Sequence, residues 1–241
     1  MFSTEIQHFI VNKKYPNFSP KAVFFDMDGV LFDSMKYHSW AWVKAFELKG
    51  IPFTEYECYL NEGRTGASTI DGVYMQQFNR VATEEEKKSL YHSKSNLFEQ
   101  SGKTEEMPFA LELLLKLKSQ HFQIFLVTGS GQPTLLDSLN VSFPNIFNKN
   151  NMVTAFDVTE GKPHPEPYLK ALKKSGLQPW EVVVVENAPL GVESAKAAGL
   201  FVLAVNTGVL EDKILIDSGA DIVFDTIKEL FEKWDYFRAN F

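Results

Sequence analysis

The chain has 241 residues, 44% apolar and 23% charged, with 24 basic against 31 acidic side chains and a formal net charge of −7. That length can bury a full core with a substantial insertion, and no apolar run is long enough to span a bilayer. The acidic balance argues against a general nucleic-acid-binding surface, and an anionic small substrate would need positive charge gathered locally, from lysines or a divalent cation. The opening stretch MFSTEIQHFIVNKKYPNF lacks the continuous apolar segment of a secretory signal. The single cysteine, Cys58, has no partner for a disulfide or a CxxC site, which fits a reducing compartment. The expectation is a cytoplasmic protein.

In chain order, AVFFD, QIFLVTGS, VVVVEN and FVLAVNTG read as buried parallel strands, because they lack polar alternation and end in loop signals. Helical spacing lies between them, at Phe109, Leu113 and Leu117 and in LGVESAKAAG. The fold class predicted is α/β, a doubly wound Rossmann-like parallel-sheet core with right-handed crossovers. The chain between the first two runs is several times what one crossover helix requires. Residues 36–101 are therefore expected to be an inserted helical cap domain, leaving 1–35 and 102–241 as the core. Within the insertion, Trp40, Val43 and Phe46 keep helical spacing, and Thr83 with Glu86 makes a capping box ahead of a charged helix with a solvated face.

Chemistry concentrates where the strand runs end. DMDGVLFDS places Asp26 and Asp28 two residues apart after an apolar run. At a strand end both can face one site, hold magnesium, and divide nucleophilic and proton-transfer work. Gly29 permits a sharp exit. Thr128, Gly129 and Ser130 supply hydroxyls and amides suited to phosphate oxygens. Lys162, ahead of two prolines that fix its loop, can neutralise a transferring phosphoryl group. Glu186 and Asn187 offer oxygen ligands to a hard cation, although Asn187 could equally cap the next helix.

Four strand ends, each with a polar residue suited to phosphate or magnesium, would be gathered at one edge of a parallel sheet. These residues resemble the haloacid dehalogenase superfamily: DMDG matches its first motif, Thr128 its second, Lys162 its third, and Glu186 with Asn187 its fourth. The resemblance implies a phosphohydrolase with Asp26 as covalent nucleophile and Asp28 as general acid and base. Thr128 and Ser130 would hold phosphoryl oxygens, and Lys162 would offset their charge. Magnesium would lie on Asp26, the Asp28 carbonyl and Asn187, with Glu186 acting directly or through water. Aspartate at position 26 points away from dehalogenation.

The hinge DMDGVLFDSMKYHSWAW resembles the β-phosphoglucomutase-like branch, with His38 where that branch keeps a histidine near the leaving group. In the cap loop LNEGRTGAST, the arginine expected of a mutase falls at Gly66, with Arg64 two residues earlier. Glu62 and the neutral Asn187 resemble instead the inorganic pyrophosphatase member of the branch, in which a cap glutamate joins the metal site. Tyr91 and Lys94, one helical turn apart, could bind a distal phosphate or form an exposed helix face. Inorganic pyrophosphatase activity is thus expected ahead of β-phosphoglucomutase or sugar-phosphate phosphatase activity. Two non-enzyme readings compete, a phosphorylation-dependent regulator and a binding protein with a dead core. Motif order weighs against the first, and the presence of every reacting group weighs against the second.

Overall fold

The computed structural model describes residues 2–102, 104–131 and 133–241, with the backbone alone for 133–136. Six strands form one sheet: β1 (Ala22–Phe25), β2 (Gln123–Val127), β3 (Met152–Val153), β4 (Val182–Glu186), β5 (Phe201–Val205) and β6 (Ile222–Phe224). Their order is β3-β2-β1-β4-β5-β6, and every pairing is parallel. The chain winds outward from β1 in one direction through β2 and β3, and from β4 in the other through β5 and β6. The carboxyl ends of β1, β2 and β4 therefore frame the switch point where such sheets bind ligands.

The apolar runs have no polar alternation because both faces of the sheet are covered. Val23, Phe25, Val183 and Val185 pack against α1 (Ser3–Lys13), α6 (Ala110–Ser119), α7 (Pro133–Ser142) and α11 (Ile227–Arg238). Their neighbours Ala22, Phe24, Val182 and Val184 pack against α8 (Glu166–Ser175), α9 (Pro189–Ala197) and α10 (Asp212–Asp217). Phe24 and Phe25 are buried on opposite faces, and truncating either to alanine would cost about 3–5 kcal/mol. Two strands escape the sequence reading. β3 has only two residues and β6 three, too few for a period to register.

Between β1 and β2 stand α2 (Met35–Glu47), α3 (Glu55–Leu60), α4 (Gly66–Phe78) and α5 (Glu84–Gln100). The Thr83–Glu86 capping box forms, with the Thr83 amide donating to Glu86 Oε2 at 2.7 Å and the Glu86 amide to Thr83 Oγ1 at 3.2 Å. The four helices share an apolar cluster that includes Met35, Trp42, Phe46, Tyr74 and Leu90, and Leu210 from beyond β5 joins it. The two linkers run together, the Asp33 amide donating to the Glu105 carbonyl and the Met107 amide to the Leu31 carbonyl. Among the described residues no helix is long and apolar enough to cross a membrane.

Candidate active site

Asp26 follows β1 and keeps the sheet's pairing, its amide donating to the Val185 carbonyl. The chain then turns over Met27, whose carbonyl accepts from Leu31 and Phe32, with Gly29 at φ 76°. That turn brings Asp28 to the same cavity as Asp26. The Lys162 side chain is buried beneath them. Its Nζ donates to Asp26 Oδ1 at 2.8 Å, to Glu186 Oε1 at 2.5 Å and to the Val127 carbonyl at 3.0 Å. Burial opposes the Lys162 charge, but Asp26 and Glu186 outweigh it and hold the ammonium's pKa above its ordinary value. Burial, reinforced by Glu186 and Asp28, pushes the Asp26 carboxyl up to about 7 despite Lys162.

Glu186 is placed differently from the sequence expectation of a cation ligand. Its Oε1 accepts from Lys162 and from the Tyr168 hydroxyl at 2.8 Å, and its Oε2 accepts the amides of Asn187 and Ala188. With both oxygens engaged, Glu186 anchors Lys162 instead of presenting itself to the cavity.

Asp28 Oδ1 accepts from Ser34 Oγ at 2.6 Å and contacts His38 Nε2 at 3.2 Å. Lys94 Nζ lies 2.7 Å from His38 Nδ1, and the imidazole stacks on Phe98. Burial, with Lys94 adding to it, lowers the His38 pKa. A neutral ring accepting at Nδ1 must carry its proton on Nε2, which it then donates to Asp28. Burial works against the Asp28 charge, but His38, Ser34 and Lys94 outweigh it and lower its pKa. Lys94 is 3% exposed, and burial brings its own pKa down to about 8. The exposed-face reading of Tyr91 and Lys94 is therefore overturned: Lys94 is buried, Tyr91 is half-buried, and both line the cavity. The charged run of α5 does present a solvated face, but on its other side.

The loop after α3 brings Glu62 to the core. Asn187 Nδ2 donates to Glu62 Oε1 at 2.7 Å, so Asn187 bridges the two parts instead of capping α9. Burial raises the Glu62 pKa well above the ordinary range; the Asn187 bond opposes this, while Asp26, Glu186 and Asp28 add to it. Asn187 Oδ1 is buried with no hydrogen-bond partner, an arrangement costing about 1–3 kcal/mol unless a ligand compensates it. A hard divalent cation fits that oxygen and the surrounding excess of carboxylates. Among the described residues no three histidine, cysteine, aspartate or glutamate side chains form a ligand set, so a cation here would have to draw on amide and main-chain oxygens as well.

Thr128 Oγ1 accepts the Ser130 amide at 3.0 Å, and both residues line the cavity beside Gly129 and Gly131. Arg64 also lines it, with Nε donating to Asn61 Oδ1 and a terminal nitrogen to Ser68 Oγ. The volume of this cavity is about 70 Å³. Sequence reasoning missed Tyr168, which holds Glu186; Ser34, which holds Asp28; and Thr207, whose hydroxyl donates to the Gly29 carbonyl at 2.6 Å. Tyr168 stands in GKPHPEPY and Ser34 in DMDGVLFDS, so position in the motifs was the available signal.

The haloacid dehalogenase-like hydrolase family model matches residues 23–205. Over 230 residues the chain is 28% identical to the beta-phosphoglucomutase of Bacillus subtilis (strain 168), covering 91% of this chain and 98% of that protein. Over 205 residues it is 32% identical to the phosphorylated carbohydrates phosphatase of Thermotoga maritima, covering 83% and 92%. A solved structure from Bacteroides vulgatus, nominally a beta-phosphoglucomutase, superposes with a TM-score of 0.96 at 48% identity, covering 99% of this chain and 97% of that one.

Proposed function

This chain belongs to the haloacid dehalogenase-like hydrolase family, in its β-phosphoglucomutase-like branch, and on that premise we propose that it hydrolyses a small phosphorylated substrate through an aspartyl-phosphate on Asp26. The observation that carries the reading is the buried Asp26–Lys162 pair at 2.8 Å, opening on a cavity lined by Asp28, Thr128 and Ser130. An Asp26 carboxylate oxygen attacks phosphorus, and the bond to the leaving oxygen breaks as Asp28 in its acid form gives that oxygen a proton. Thr128 and Ser130 hold the phosphoryl oxygens, while Lys162 fixes the Asp26 carboxylate and offsets negative charge. In the second half Asp28 takes a proton from water, the water oxygen bonds to phosphorus, and the acyl-phosphate bond breaks to restore Asp26.

Asp26, the Asp28 carbonyl and Asn187 Oδ1 would hold magnesium, with Glu62 reaching the same place from the inserted helices. Bound there, the ion supplies charge neutralisation between the carboxylate and the phosphoryl oxygens. Residues 36–101 act in this reading as a cap closing over a core of 1–35 and 102–241.

For the substrate class, the names of the relatives support sugar phosphates first, and none of those reported supports pyrophosphate. Hydrolysis is favoured over isomerisation because Gly66 stands where a second-phosphate arginine is expected and Arg64 is turned toward Asn61 and Ser68. Pyrophosphate remains a second reading on one specific observation. The Glu62–Asn187 bond closes the loop over a cavity of about 70 Å³, far below the roughly 300–1,000 Å³ of ordinary ligand pockets. An Asp28 held ionised also suits a phosphate leaving group, which departs as an anion without the proton an alkoxide needs.

The test is phosphate release with magnesium from β-glucose 1-phosphate, hexose 6-phosphates and pyrophosphate, with quenched samples weighed for phosphorylated Asp26. Higher kcat/KM on pyrophosphate selects the second reading. No release from any substrate, or full activity in Asp26→Asn, refutes the mechanism.

A further inference from the structure

The loop that carries Glu62 lies against the core at places where the core has no side chains. A β-carbon at Gly129 would stand 2.4 Å from the Gly63 carbonyl oxygen and 3.3 Å from that of Arg64. One at Gly161 would stand 2.8 Å from Thr65 Cγ2. Gly63 itself, at φ 88°, passes over the buried Lys162 side chain, with no room for a β-carbon of its own beyond 3.0 Å from Lys162 Cδ. These contacts come from segments far apart in sequence, the turn after β2 and the loop ahead of Lys162.

Neither Gly129 nor Gly161 has a positive φ, so the backbone of each is one that alanine adopts. The reason for glycine lies in the neighbour, since close approach of one backbone to another is the other situation that demands it. A buried core could shift to admit a methyl, but Thr65 cannot yield easily. It is β-branched and stiff at χ1, and its hydroxyl caps α4 by accepting the Ser68 amide at 3.3 Å. Its methyl is held against the Gly161 position.

We propose that Gly129 and Gly161 form a side-chain-free seat for residues 63–65, and that docking in this seat is what delivers Glu62 to Asn187. The proposal rests on the phosphohydrolase reading for its effect on rate. Gly161 and Thr65 are thus positioning residues that act through Glu62 without touching the reacting atoms.

The seat is tested by a pair of changes that restore its fit. Gly161→Ala adds the methyl, and Thr65→Ser removes the Cγ2 it would strike while keeping the capping hydroxyl. Expected for Gly161→Ala is a loss of about 10- to 100-fold in kcat/KM on the best substrate found for the wild type, the scale of a misplacement near 1 Å. Amide hydrogen exchange at residues 63–65 should accelerate in the same variant. Thr65→Ser alone should stay within about threefold of wild type, and the double variant should recover both rate and protection. Wild-type kcat/KM and exchange in Gly161→Ala overturns the seat. Loss in Gly161→Ala that Thr65→Ser does not restore also overturns it, because a displaced Lys162 next door would behave that way. If the wild type releases phosphate from nothing, the functional reading fails, while exchange and its rescue still decide the seat.

Discussion

Replacing Glu62 by alanine removes a hydrogen bond between the inserted segment and the Asn187 side chain, at 2.7 Å in a buried setting. Asn187 Oδ1 already lacks a partner, so the variant leaves the whole amide unsatisfied in the metal-free closed arrangement, and the Nδ2 donor alone when magnesium takes that oxygen. That costs about 1–3 kcal/mol, which converts at 1.36 kcal/mol per decade to a fall of about 5- to 150-fold in the closed population and in kcat/KM. The open arrangement exposes Asn187 to water and loses nothing. Steady-state phosphate release should therefore show the fall on whichever substrate requires closure. Acetyl phosphate, small and with a leaving group that needs no proton, should be spared by comparison. Glu62→Gln is the internal control: its amide oxygen can still accept from Asn187, so closure persists, and any loss that remains in it reports the carboxylate's own role. Unchanged kcat/KM in Glu62→Ala on every substrate would refute the argument that this loop completes the site.

Asp26→Asn should abolish turnover and still fold, because an amide nearly matches the carboxylate in shape but cannot form an acyl-phosphate. The same variant tests the pH linkage in metal-free protein. Since burial raises the folded Asp26 pKa from 3.8 to about 7, its contribution to wild-type stability is full below about 4 and is lost as pH rises through about 7. Melting temperatures in chelator should fall across that window, and less in Asp26→Asn; an equal fall in both removes Asp26 as the cause. Chelator should abolish phosphate release and magnesium restore it, with a rise in melting temperature on binding, and full activity in excess chelator would contradict the oxygen site. Tyr168→Phe removes one donor from Glu186 Oε1 while Lys162 stays bound. It should cost about 0.5–1.5 kcal/mol, read as a drop of roughly 1–6 °C in a thermal melt.

Much of this protein is legible in its linear order because strands buried on both faces must be apolar throughout. AVFF, QIFLV, VVVVE and FVLAV announce themselves for that reason, and the residues just after them reach one edge because parallel strands all end there. Asp26, Asp28, Thr128 and Asn187 are brought together by that rule, whereas Lys162, beyond the two-residue β3, is legible only through its proline-flanked motif. The capping box at Thr83 and Glu86 was equally local, needing only a three-residue spacing. Tertiary structure alone decided the partners. Whether Glu186 faces a cation or anchors Lys162 depends on Tyr168 arriving from α8 and on two amides at the start of α9. Whether Lys94 is solvated or buried depends on α2 bringing His38 beneath it. The short β3 and β6 exist because neighbouring strands offer them hydrogen bonds, not because two or three residues carry a pattern. The fit of Gly161 against Thr65 is of the same kind, since a missing side chain leaves no mark in a sequence until the segment that fills its space is seen.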